Sequence, residues 1–142
     1  MRLLHAQHLT LCEFPGATAP PYAILSHTLG KKEISLQEIK ARKAPENTVA
    51  YAKLLGTCQR ALKDGHDWVW IDTCNIDKTS SAELQEAINS MYSWYRNAAV
   101  CYVYMTDVPT QRDGWGRAFK RSRWWMRGWT LRMQNLKSGS TI

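Results

Sequence analysis

The sequence predicts an α/β fold: a mainly parallel sheet with crossover helices, preceded by a short N-terminal β-hairpin. Three observations predict it. Short apolar runs, YAILS (22–26), WVWI (68–71) and AVCYVYM (99–105), are separated by two longer stretches of helical period. Strand, helix, strand, helix, strand is the order of a parallel sheet with crossover helices. The runs are apolar almost throughout, as strands covered on both faces must be.

The elements follow in order. RLLHAQHLTLCEF reads as a β-hairpin or two short strands, and Pro15, Gly16, Pro20 and Pro21 then make a loop. Tyr22 to Ser26 is the first buried strand, ended by Gly30 and two lysines. Ile34, Leu36 and Ile39 predict a short helix after Ser35. From Thr48 to Asp64, Tyr51, Leu54, Leu55, Cys58, Ala61 and Leu62 recur at spacings of three and four, the apolar stripe of a helix. Gly65 stands where a helix C-cap belongs. Trp68 to Ile71 is the second strand. Leu84, Ala87, Ile88, Met91, Tyr95 and Ala98 mark a second amphipathic helix over Ser81 to Asn97. Ala99 to Met105 is the third strand, ended by Asp107 and Pro109.

Composition excludes several classes. A chain of 142 residues is enough for one modest core. No apolar run reaches the ~18 residues of a membrane span, and His5, Gln7, His8 and Glu13 interrupt the N-terminus too often for a signal peptide. Cys12, Cys58, Cys74 and Cys101 are scattered without a CxxC pair, which suits a reducing, cytoplasmic setting. His5, His8 and Cys12 lack the second cluster that would complete a metal site, so no metal is expected. The net charge of +7 lies entirely in residues 112–142, where Asp113 is the lone acid. That segment, RDGWGRAFKRSRWWMRGWTLR, sets tryptophans among arginines. Such a mixture can stack and neutralise single-stranded nucleic acid, or form a core with a wet basic face. With no recognition signature beside it, nucleic acid is not an expected partner.

In open parallel sheets the functional crevice opens at the carboxyl ends of the strands. Ser26 and His27 follow the first strand, Asp72, Thr73 and Cys74 the second, Asp107 the third. Parallel strands would gather all of them on one edge. Glu83 has two readings. Ser80-Ser81-Ala82-Glu83 is a capping box, with Ser80 accepting from the Glu83 amide and the carboxylate returning to the Ser80 amide. Alternatively the carboxylate faces the crevice. Asp72 either orients a ligand hydroxyl or accepts backbone N–H groups in its turn. His27 either serves a ligand or is a turn partner. Asp77 and Thr79 read as turn and cap residues, and Cys74 as a packing thiol.

Three stretches together resemble one family: YAILSHTLG (22–30), the segment from Tyr51 to Pro109 that contains WIDTCNID, and SRWWMRGWTL (122–131). They are similar, in order, to the fungal heterokaryon incompatibility (HET) domain. The resemblance implies a HET domain over residues 1–131 and a non-matching tail over 132–142. HET domains act in fungal non-self recognition and programmed cell death, and are similar to Toll/interleukin-receptor (TIR) domains, which have a flavodoxin-like sheet. Some TIR domains cleave NAD at the nicotinamide–ribose bond through one glutamate. The resemblance therefore implies Glu83 as the catalytic residue. Ser26, His27, Asp72 and Thr73 would bind substrate, Arg127 would contact phosphate and Trp129 would stack. NAD is then a substrate and no cofactor is needed. The alternative it leaves open is a non-enzymatic module that signals by self-association or by binding other death-signalling proteins. Two places depart from the family pattern: Leu29 stands where Trp is usual, and Arg132-Met133 where Gln-Glu is usual. The chain thus reads as altered or truncated after residue 131.

Overall fold

The computed structural model describes residues 1–15, 18–109 and 115–126, together with the backbone of Ser140 and Thr141. Its first strands, β1 (Arg2–His5) and β2 (Leu11–Glu13), form the expected antiparallel hairpin. Next come β3 (Ala23–His27), α1 (Leu36–Lys40), α2 (Val49–Lys63) and β4 (Trp68–Trp70). The chain continues through α3 (Asp72–Asn75), α4 (Ser81–Asn97) and β5 (Val100–Tyr104). α5 (Trp115–Arg121) and a 3-10 turn (Arg123–Met126) follow, and β6 (Ser140–Thr141) ends the described chain.

Among the described residues the strands form one sheet in the order β2-β1-β4-β3-β5-β6. β3 pairs in parallel with both β4 and β5, and β6 runs parallel to β5. Numbered by themselves, the parallel strands stand in the order 2-1-3-4, that of a flavodoxin-like doubly wound sheet. The connection from β3 to β4 runs one way along the sheet, and that from β4 to β5 runs back past β3. Right-handed crossovers in opposite directions place their helices on opposite faces.

The core has that division. On one face Ala23, Leu25, Val69 and Ile71 pack with Leu54, Cys58 and Ala61 of α2. On the other, Ile24 and Trp70 pack with Ala87 of α4, flanked by Leu84, Met91, Trp94 and Tyr95. The strand alternation of period two explains the assignment. Two helix-face expectations are corrected. Leu62 and Ile88 are exposed, whereas Lys53 lies in the buried stripe of α2 and Trp94 in that of α4. A third correction concerns Asp72 to Asn75, which form one helical turn, where the sequence reads as a strand end and loop.

The helix ends explain the boundaries. Thr48 caps α2 by accepting from the Tyr51 amide. Beyond its C-terminus the His66 amide donates to Ala61 O and the Gly65 amide to Leu62 O, a Schellman motif with Gly65 at φ 82°. α1 ends in the same way on Arg42, at φ 52°, with the Lys43 amide donating to Glu38 O and the Arg42 amide to Ile39 O. No helix among the described residues is long and apolar enough to cross a membrane.

Candidate functional site

The carboxyl ends of β3, β4 and β5 share one edge, as parallel pairing requires. The sheet itself divides what that edge carries. Residues alternate along β3, so His27 projects with Leu25 toward the α2 face and Ser26 with Ile24 toward the α4 face.

On the α2 side, buried His27 faces Asp72, with Nε2 3.6 Å from Oδ1. That is longer than a direct hydrogen bond. Asp72 opens α3, and its other oxygen lies 3.8 Å from Lys78 Nζ. Thr73 and Cys74 are buried within the same turn. Burial pushes the Cys74 thiol up, which keeps it protonated and suits a packing residue. Ser26 belongs to a different set of contacts. Its Oγ accepts from Trp124 Nε1 at 3.0 Å, both side chains being buried. The turn that holds Trp124 is tied down by Asp107, which accepts from Ser122 Oγ at 2.7 Å and from the Arg123 amide at 2.8 Å. The Ser122 hydroxyl and the Arg123 amide hold the Asp107 carboxyl below its usual range.

Glu83 lies in the first turn of α4, and the capping box is only half made. Ser80 Oγ accepts from the Glu83 amide at 3.3 Å. The carboxylate goes elsewhere: Oε1 accepts from the Asp77 amide at 2.7 Å and from Arg2 Nη1 at 2.8 Å, and Oε2 lies 3.3 Å from Arg2 Nη2. The Arg2 guanidinium, helped by the Asp77 amide, holds the Glu83 carboxyl below its ordinary value, so it is ionised at neutral pH. Arg2 is itself held by Asn75. Its Nη1 donates to Asn75 O at 3.1 Å, and Asn75 Nδ2 donates back to Arg2 O at 3.0 Å. Thus α3 presents Asp72 to His27 at one end and Asn75 to Arg2 at the other.

Beside Glu83 is a cavity of about 330 Å³ on the α4 side. Arg2, Glu13, Phe14, Glu83, Glu86 and Trp94 are among its lining residues. Its volume lies at the lower end of the ~300–1,000 Å³ typical of small-molecule sites. Three carboxylates against the Arg2 guanidinium and the Met1 ammonium leave a negative balance suited to a cationic ligand group. Ser26, His27, Asp72 and Thr73 do not line it. The structure therefore brings His27 and Asp72 together but sets both apart from the Glu83 cavity. Arg127 and Trp129 lie outside the described residues. Among the described residues no group of three His, Cys, Asp or Glu side chains is placed to hold a metal ion.

Sequence reasoning missed Arg2, Asn75 and Trp94 around Glu83, because their partners lie far away along the chain. It also missed Lys53 and Glu33, a buried ion pair on the α2 side with Nζ 2.6 Å from Oε2. A lysine inside an otherwise apolar helical stripe was the one local signal available.

The family model described as "Heterokaryon incompatibility protein (HET)" matches residues 22–113. The chain is 48% identical over 127 residues to the vegetative incompatibility protein HET-E-1 of Podospora anserina. That alignment covers 84% of this chain and 9% of the relative, so the chain spans a small part of that protein's length. No solved structure matches. The matched residues contain β3 to β5, and the chain belongs to the heterokaryon incompatibility (HET) family.

Proposed function

We propose that this domain acts in heterokaryon incompatibility, within fungal non-self recognition and programmed cell death, by cleaving NAD at the nicotinamide–ribose bond. The observation that carries the chemical reading is Glu83: an ionised carboxylate lining an acidic cavity at the carboxyl edge of the sheet. The family relation and the TIR-like activity it implies supply the substrate class.

Cleavage of an N-glycosidic bond develops positive charge on the ribose as neutral nicotinamide departs; water then adds to the ribosyl carbon and loses a proton to solvent. A fixed carboxylate stabilises that charge more in the transition state than in the ground state. Glu83 suits the task because Arg2 and the Asp77 amide hold Oε1, leaving Oε2 the less engaged oxygen. Nicotinamide in NAD is a cationic ring, and Trp94 and Phe14 offer it aromatic walls. Arg2 then positions the carboxylate rather than touching the reacting atoms. On this reading His27 and Asp72 serve a part of the ligand remote from the cleaved bond, or the local fold. The test is nicotinamide release by the wild type beside a folded Glu83→Gln variant.

The second reading is a non-enzymatic module that signals by self-association or by binding other death-signalling proteins. The same contacts favour it, since a carboxylate bound by Arg2 and an amide also serves as a latch between β1 and α4. Cell death on expression that survives Glu83→Gln would support this second reading. A cytoplasmic location fits either reading.

A further inference from the structure

A second cavity, of about 290 Å³, lies across the sheet from Glu83. It opens where the loop after β3 meets the end of β5, and Gly30, Glu33, Thr48, Lys53, Tyr104 and Thr106 are among its lining residues. This is the switch point of the parallel sheet, because the chain leaves β3 toward β4 on one side and returns to β5 on the other. Open α/β sheets bind ligands at such points.

The polar groups here have an unusual arrangement. Lys53 projects from the buried stripe of the fifteen-residue α2, and its side chain is only 6% exposed. An ammonium buried this far needs an anion close by. The anion is Glu33, with Nζ 2.7 Å from Oε1 and 2.6 Å from Oε2. Glu33 belongs to the irregular segment between β3 and α1, whereas Lys53 is fixed in a helix. The Gly30 amide also donates to Glu33 Oε1, at 2.6 Å. A Cβ at Gly30 would stand 3.3 Å from that oxygen, so glycine permits the close approach. The same cavity reaches Thr48, Val49 and Ala50 at the N-terminal end of α2, which favours negative charge. Exposed Lys31 and Lys32 stand at its rim. An ammonium and a backbone N–H thus converge on a carboxylate carried by a loop, and the N-terminal end of α2 lines the same cavity.

We propose that Lys53 and the Gly30 amide form an oxyanion site for a phosphoryl group, and that Glu33 occupies it when no ligand is bound. Glu33 is then an internal competitor. A phosphoryl group entering the cavity takes its place on Lys53, and the 28–35 loop moves outward with the released carboxylate. The Tyr104 ring, with Lys53 Nζ 5.8 Å from its centroid, offers a wall to an organic body attached to the phosphate. The site lies on the opposite face from the Glu83 cavity, and the inference stands whether or not Glu83 is catalytic.

Inorganic phosphate is the first probe, read by thermal denaturation at constant ionic strength in chloride. The wild type, Glu33→Gln, and Glu33→Gln combined with Lys53→Met are compared. Removing the competitor should tighten phosphate binding at least tenfold in Glu33→Gln. The double variant, whose buried pair has become neutral, should show no saturable response. If Glu33→Gln is unfolded in chloride, phosphate should refold it. Equal responses from the single and double variants, equal affinity in wild type and Glu33→Gln, or failure of phosphate to refold an unfolded single variant would each overturn the proposal. Adenosine monophosphate sorts the source of the group: tighter binding than phosphate points to a nucleotide, equal binding to the free ion.

Discussion

Arg2 reaches from the first strand to the first turn of α4, where its Nη1 lies 2.8 Å from Glu83 Oε1. The pair joins residues 81 positions apart and closes one side of the Glu83 cavity. Arg2→Gln leaves the carboxylate with the Asp77 amide alone and breaks the contact with Asn75 O. Loss of a charge-assisted hydrogen bond at a partly buried site costs about 1–3 kcal/mol. Urea denaturation at pH 7 should show that loss, and should show less for Glu83→Gln, because Arg2 keeps Glu13 and Asn75.

The same pair predicts a pH dependence. The Glu83 carboxyl is depressed below its ordinary value of 4.5, mainly by Arg2. Its contribution to stability is therefore complete above pH 4.5 and disappears as pH falls through the depressed folded value. Wild-type stability should drop on acidification below that point. In Arg2→Gln the Glu83 contribution to the drop should shrink, which denaturant midpoints measured from pH 6 to pH 3 would reveal.

Gly65 and Arg42 occupy equivalent C′ positions after α2 and α1, at φ 82° and 52°. The left-handed conformation costs a residue with a Cβ ~1–2 kcal/mol. Gly65→Ala should destabilise by about 1 kcal/mol, and Arg42→Gly should stabilise by about 0.5–1 kcal/mol. Opposite shifts in the denaturant midpoint would bear this out. Shifts of the same sign would show that the two caps are not equivalent.

Trp124 lays its indole over the end of β3 and donates to Ser26 Oγ. Trp124→Phe keeps most of the apolar contact but leaves a buried hydroxyl without that donor, at a cost of about 1–3 kcal/mol. Trp124→Ala adds a cavity, bringing the cost to about 3–5 kcal/mol. In the Ser26→Ala background Trp124→Phe should cost less than it does alone, and a double-mutant cycle measures the difference.

Much of this architecture was legible in the residues, and the failures have identifiable causes. β3, β4 and β5 announce themselves because strands buried on both faces are apolar runs, and the structure moves their ends by about one residue. α4 keeps the predicted bounds, Ser81 to Asn97, because Ser80 is a strong cap and the residues after Asn97 turn to strand formers. Periodicity also located α2, but it could not show that Lys53 would be buried and Leu62 exposed, since the partner Glu33 lies 20 residues away. Glu83 failed as a full capping box for the same reason: Arg2 and the Asp77 amide outcompete the Ser80 amide. α1 makes the complete box instead, with Ser35 and Glu38 bonding reciprocally. At the site, adjacency along β3 suggested that Ser26 and His27 act together. The pleat sends them to opposite faces, which a list of strand-end residues does not reveal.

The most direct test of the central claim is nicotinamide release from NAD by the purified chain, wild type beside Glu83→Gln, with circular dichroism confirming that both are folded. The wild type should release nicotinamide and the variant should be slower by about 10²–10³-fold, the loss typical of removing one electrostatic stabiliser. Equal rates in the two folded proteins, or no release from a folded wild type, would contradict it and leave Glu83 as a latch between β1 and α4.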